Sequence, residues 1–129
     1  MSQNVDRLRR TYAAFNRGDF DDAVSIGHPD VEYVPVGGLA AHRGIASLRK
    51  WMEPDAFEEQ TIEPVEFFPS GSKVLVKQRL KARGAGSGIE MEIESWAVWT
   101  FDDGGLVTRI EAYLDHEEAE ARESAGVTG

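Results

Sequence analysis

Three side chains are of types that could move protons around a small molecule. Tyr33 stands in "DVEYVPV", His28 comes just before that stretch, and Glu63 lies in "QTIEPVEFF". A buried phenol can donate a hydrogen bond to a carbonyl or enolate oxygen, and an imidazole or carboxylate can act as the base beside it. Tyr33 shares its parity, and so its strand face, with Val31 and Pro35. Glu63 falls at a bulge-prone place beside Pro64, with the parity of Val65 and Phe67. Each also has a plain structural reading. Tyr33 serves equally as a core aromatic with its hydroxyl on a backbone carbonyl. His28-Pro29-Asp30 reads as a turn, and Glu63 as a surface carboxylate. Glu32 and Asp115 are further carboxylates, with outward parity.

A second group could hold a ligand rather than transform it. Gln78 and Ser95 are polar residues on otherwise apolar strand faces, so they bond each other or a ligand. Tyr12 and Phe15 lie on one face of the first helix, and Trp51 and Trp99 could form an aromatic wall. All of these also suit an ordinary core. No metal is expected, because His28, His42 and His116 lack ligand-spaced partners and there is no cysteine. Gly37-Gly38 and the glycine-rich stretch 84–88 lack the following helix of a phosphate loop, so no nucleotide is expected and no cofactor is implied.

These residues need elements to position them. Val5, Leu8, Tyr12 and Phe15 recur with helical spacing and predict a helix over 4–17, stopped by Gly18. Asp19 caps a second short helix, ended by Gly27, His28 and Pro29. A strand over 30–36 follows, bounded by Gly37-Gly38. Ile45, Leu48, Trp51 and Met52 mark a third helix, stopped before Pro54. The period then changes to two, giving strands over 60–68, 73–83, 89–101 and 106–115. The tail 117–129 starts as a short helix and frays. Helices first and a meander after predict one α+β domain over 1–129 with a mostly antiparallel sheet.

The segment "KQRLKARGAGSGIEMEIE" tests which sheet face to search. Pairing Lys81 with Glu90, Arg79 with Glu92 and Lys77 with Glu94 places charge on one face and apolar residues on the other. The charged ladder is then a solvated outer face or part of a dimer face. The inner face carries Val74, Val76, Gln78, Leu80, Met91, Ile93, Ser95, Ala97, Trp99 and Phe101, continued by Thr108, Ile110, Ala112 and Leu114. Helices over this face would enclose an apolar cavity suited to a small hydrophobic molecule. Trp96, Val98 and Tyr113 have outward parity, which a homodimer through the outer face would explain.

The chain has 129 residues, 41% hydrophobic and 29% charged, which suits one soluble domain with a real core. A formal charge of −9 argues against nucleic acid and anionic membranes as partners. No apolar run is long enough to span a bilayer and no signal-peptide core is visible, which fits a cytoplasmic protein.

The stretches "YAAFNRGDFDDAV", "HPDVEYVPVGG", "HRGIASLRKW" and "SGIEMEIESWAVWTFDDGGLVTRIEAYLD" resemble the SnoaL-like branch of the NTF2-like superfamily. The resemblance implies a cone-shaped α+β barrel, three N-terminal helices on a strongly curved sheet. It leaves activity open, since the superfamily holds isomerases, cyclases, hydrolases and noncatalytic binders. Relative to its ketosteroid isomerases, the helix-1 tyrosine falls on Thr11, the general base on Pro35 and the protonated oxyanion-hole acid on Ala97. None of the three can take over the missing role, so that mechanism is not expected. The arginine with two aspartates of the epoxide hydrolase relatives is also not visible, since Arg79 and Arg109 have outward parity. Three functions stay open. One is a cofactor-free isomerase, cyclase or hydrolase, with Tyr33 as donor and His28 or Glu63 as base. The second is a noncatalytic pocket for a small hydrophobic molecule. The third is a dimeric protein-interaction module.

Overall fold

The computed structural model describes residues 3–36, 40–52, 57–84 and 86–127, with the side chains of 57–59 excepted. The glycine pair Gly37-Gly38, the stop at Pro54 and the chain's last two residues lie outside them.

Helix α1, Gln3–Asn16, buries Val5, Leu8, Thr11, Tyr12, Ala14 and Phe15, the face its spacing predicts. Gly18 (φ 80°) turns the chain, and the Asp19 side chain accepts from the Asp22 backbone amide to start α2, Phe20–Ala23. A 3₁₀ turn, Val24–Ile26, leads into strand β1, Gly27–Val34. Gly27, His28 and Pro29 therefore begin the strand rather than ending the helix. The two-residue strand β2, His42–Arg43, precedes α3, Ile45–Met52. Four long strands follow: β3, Phe57–Ser70; β4, Lys73–Gly84; β5, Glu90–Phe101; and β6, Val107–Leu114.

The sheet order is β2-β1-β6-β5-β4-β3. Among the described residues, β1 pairs with β6 in parallel and the other pairings are antiparallel. The sheet is curved and mixed but does not close, so the fold is an open cone rather than a barrel. Irregularities at Pro64/Glu66, Thr100/Phe101 and Gly27/Glu32 break the register, and such bulges bend strands.

The β4–β5 register differs from the expected one by two residues. Arg79 faces Glu94, Lys81 faces Glu92 and Lys77 faces Trp96. Arg79 still reaches both carboxylates, at 3.2 Å from Glu92 and 3.2 Å from Glu94. A two-residue slip keeps every side chain on its face, so face patterning alone cannot distinguish the two registers.

Two apolar clusters lie on opposite faces. The larger joins α1, α2 and α3 to the concave face through Leu8, Tyr12, Phe15, Leu48, Val74, Val76, Trp99 and Ile110. The smaller lies on the convex face and is covered by a fourth helix, α4, Glu118–Ala125. Ala121 and Ala125 pack there against Leu75, Trp96 and Val98, and Trp96 is only 2% exposed. Gly126 (φ 74°) closes the helix in the left-handed conformation. The tail is thus a docked helix as far as it is described. It covers the outward-facing apolar residues within one chain, so they supply no argument for a dimer.

Candidate functional site

A cavity of about 70 Å³ lies between α1, α3 and the concave sheet face. Helix α1 supplies Thr11, Tyr12 and Phe15; α3 supplies Leu48, Trp51 and Met52. The strands supply Tyr33, Ile62, Gln78, Ala97, Trp99, Ile110 and Ala112. Cross-strand pairing explains the grouping: Trp99 is opposite Ile110, Ala97 opposite Ala112, and Tyr33 opposite Ile110 on the parallel side. The alanines leave room where larger side chains would fill the space.

One hydrogen-bonded chain crosses the site. Trp99 Nε1 donates to Tyr12 Oη at 3.2 Å, and Tyr12 Oη donates to Gln78 Oε1 at 2.6 Å. Gln78 Nε2 then donates to Ser95 Oγ at 3.2 Å. This ties α1 to the middle of the sheet and satisfies groups that would be costly to bury alone. Burial pushes the Tyr12 hydroxyl far above the usual phenol range, opposed by the Trp99 hydrogen bond. Asn16 fixes the neighbouring wall: its side chain exchanges two 2.8 Å hydrogen bonds with the backbone of Ile62 on the edge strand β3.

Two hydroxyls are not engaged in this way. Tyr33 is 7% exposed, and its ring lies 4.2 Å from that of Trp51. Its hydroxyl has no hydrogen-bond partner among the described residues, and burial pushes its pKa far up, so it remains a neutral donor. Thr11 Oγ1 is buried with no partner among the described residues. Trp51 lines the cavity yet is 43% exposed, which puts it at the boundary with solvent.

Four expected site residues lie outside the wall. His28 is half-buried, and its Nδ1 accepts from the Asp30 backbone amide at 3.0 Å, so the imidazole is bonded to the backbone of its own strand. Glu63 is exposed and pairs across strands with Arg79. The bulge at Val65 reverses parity along β3: Ile62 faces inward before it and Phe67 after it, leaving Glu63 outside. Pro35 is buried just beyond β1 but does not line the space. Ser95 lies behind Gln78 and acts as its acceptor.

Tyr33, Thr11, Tyr12, Phe15, Trp51, Gln78, Ala97, Trp99 and Ala112 do come together around one space. Leu48, Met52, Ile62 and Ile110 complete it. Leu48 and Met52 are one helical turn apart, a spacing visible in sequence. Ile62 is found only once the bulge is known. No group of three metal-ligating side chains occurs among the described residues. None of their helices is long and apolar enough to cross a membrane.

Helices over the concave face of an open, curved α+β sheet, with a cavity between the layers, define the NTF2-like class of cone folds. A family model for the SnoaL-like domain matches residues 8–110, and the chain belongs to that family. TerC, crystallized with polyporic acid, is a similar solved structure at 25% identity and TM-score 0.76, with 92% of this chain and 96% of that one covered. The epoxide hydrolase/cyclase-like enzyme SalBIII of pyran ring formation in the polyether salinomycin is similar in fold. Its identity is 19% and TM-score 0.79, covering 87% and 90% of the two chains. RV0760c from Mycobacterium tuberculosis, in complex with estradiol-17beta-hemisuccinate, is 16% identical with TM-score 0.78, covering 89% and 95%. Comparison with curated proteins finds no match.

Proposed function

We propose that this protein binds a small, neutral, hydrophobic molecule carrying a carbonyl or hydroxyl oxygen, and holds it without acid–base turnover. One observation carries this reading. The described cavity wall offers hydroxyl and amide groups but no carboxylate, amine or imidazole. A charged ligand would lack a counterion there, and burying an unpaired charge is costly. An enolizable substrate would meet donors but no base. Tyr33 is the orienting donor, since its hydroxyl is not committed to the protein. TerC, with its bound polyporic acid, supports a small-molecule occupant for this fold.

The experiment is a fluorescence and thermal-shift titration against steroids, terpenoids and aromatic polyketides. Trp51 and Trp99 in the wall provide the optical signal. The expected result is saturable binding of at least one class, weakened in Tyr33→Phe, with the ligand recovered unchanged. Conversion of the ligand, or binding that prefers an anion, would overturn the reading. The cofactor-free isomerase, cyclase or hydrolase then returns as the alternative, with its base outside the described wall. No binding from any class would favour an interaction module, tested by partner capture and by the oligomeric state.

A further inference from the structure

The concave face does not end at the cavity. Beyond the row formed by Gln78 and Ser95, the next row across the sheet is Ile62, Leu80 and Ile93. The row after it is Gln60, Ala82 and Met91. Ile62 belongs to the cavity wall, so the apolar surface runs unbroken from cavity to hairpin. Yet Ile93 is 43% exposed and Met91 38%, on the sheet face that elsewhere carries the core. The alternate residues Lys81, Glu92 and Glu94 point to the other face, so the strip itself carries no charge.

The space inside is small. An apolar cavity of about 150 Å³ binds a benzene molecule, and this one has about 70 Å³, less than half of that. It holds a head group of a few heavy atoms. We infer that the ligand is elongated: its oxygen-bearing end enters the cavity beside Tyr33, and its apolar body lies along Ile62, Leu80, Ile93 and Met91. This rests on the binding reading above and adds the ligand's shape. The strip is too small for a stable protein interface, which buries about 800 Å² per partner. Its exposed apolar side chains, Met91 and Ile93 with Ile89 next to them at the hairpin, offer far less. A narrow apolar track suits a chain or a row of rings.

The test uses methyl ketones with chains of about six to fourteen carbons, a length range matched to strand rows rising about 3.3 Å per residue. Affinity is measured by tryptophan fluorescence and calorimetry on the full chain. In the native protein, binding tightens about fourfold per added methylene along the series. In the double variant Ile93→Ser, Met91→Ser, the short ketones bind as before and the long ones lose their gain. Both positions are exposed, so the variant is expected to fold, and its melting temperature checks this. Affinity that levels off at the shortest chains, or a variant that weakens all ketones equally, overturns the track and leaves the cavity standing. Failure of every ketone to bind overturns the cavity reading as well. A native dimer that the variant converts to monomer with unchanged ketone affinity assigns the strip to self-association and overturns the proposal.

Discussion

Tyr12 and Gln78 stand 66 positions apart in sequence and share a 2.6 Å hydrogen bond inside the fold. Tyr12 also accepts from Trp99 Nε1, and its ring meets those of Phe67 and Trp99 edge-on. Tyr12→Phe keeps the ring and deletes only the hydroxyl, leaving the buried Trp99 indole N–H and the half-buried Gln78 amide oxygen without that partner. Stability should fall by about 1–3 kcal/mol, read by urea unfolding. A loss of a few tenths or less would mean that the network does not brace the cavity.

Tyr33→Phe should behave oppositely. The hydroxyl it removes bonds nothing among the described residues, so unfolding free energy should change by no more than about 0.5 kcal/mol. Affinity for an oxygen-bearing ligand should drop about three- to tenfold, the worth of one neutral hydrogen bond. Equal losses of stability and affinity would point to a structural hydroxyl instead.

All three tyrosines have pKa values raised above the usual phenol value of 10.0, with burial the largest cause. The unfolded chain therefore releases phenolic protons before the folded one does. Stability from these groups is intact below about pH 10 and declines as pH rises toward the folded values. Absorbance at the phenolate band should stay flat through the ordinary tyrosine range and rise together with unfolding. Tyr12 or Tyr33 titrating normally in the folded protein would contradict the burial of that side chain.

Glu111 sits beneath α4. Its carboxylate accepts from Tyr113 Oη at 2.7 Å and from Ser124 Oγ at 2.8 Å, with Arg109 Nε 3.4 Å away. Burial pushes this carboxyl up, but the Tyr113 and Ser124 hydrogen bonds and the Arg109 and Lys73 charges outweigh it and hold the pKa below the usual 4.5. Its contribution is therefore present above that unfolded value and lost as pH falls through the lower folded value. Melting temperature against pH should show this loss, and Glu111→Gln should flatten it. An unchanged acid slope in the variant would remove Glu111 from the account.

Ala121 is fully buried against the convex face. Ala121→Asp puts a carboxylate into that contact and should undock α4, since an unpaired buried charge is costly. Trp96 emission should shift to the red, and the uncovered Leu75, Trp96 and Val98 should promote concentration-dependent association seen by light scattering. A variant with native emission and no association would mean that α4 does not cover that face.

Much of the architecture was legible because it repeats locally. The spacing of Val5, Leu8, Tyr12 and Phe15 specifies a helix with one buried face. The alternation from Val74 to Leu80 and from Met91 to Phe101 separates an apolar sheet face from a charged one. Both patterns depend only on the periods of helix and strand, so they survive ignorance of the rest of the chain. Gln78 and Ser95 could be placed on one sheet face on the same grounds, while their direct opposition follows from the register.

What escaped the sequence depends on which distant segments meet. The β4–β5 register is invisible to patterning, because a slip of two leaves both faces unchanged. The bulge at Val65 inserts one residue and turns Glu63 from the inner side to the outer, although nothing in the local alternation records the insertion. The tail reads as a short helix, and only the fold brings Ala121 and Ala125, four positions apart, onto Trp96. Sequence thus determined the elements and their faces, through local periodicity. The tertiary structure decided the partners, and with them the closure of the cavity and the exclusion of His28 and Glu63 from its wall, because contacts between remote segments carry no local periodic signature.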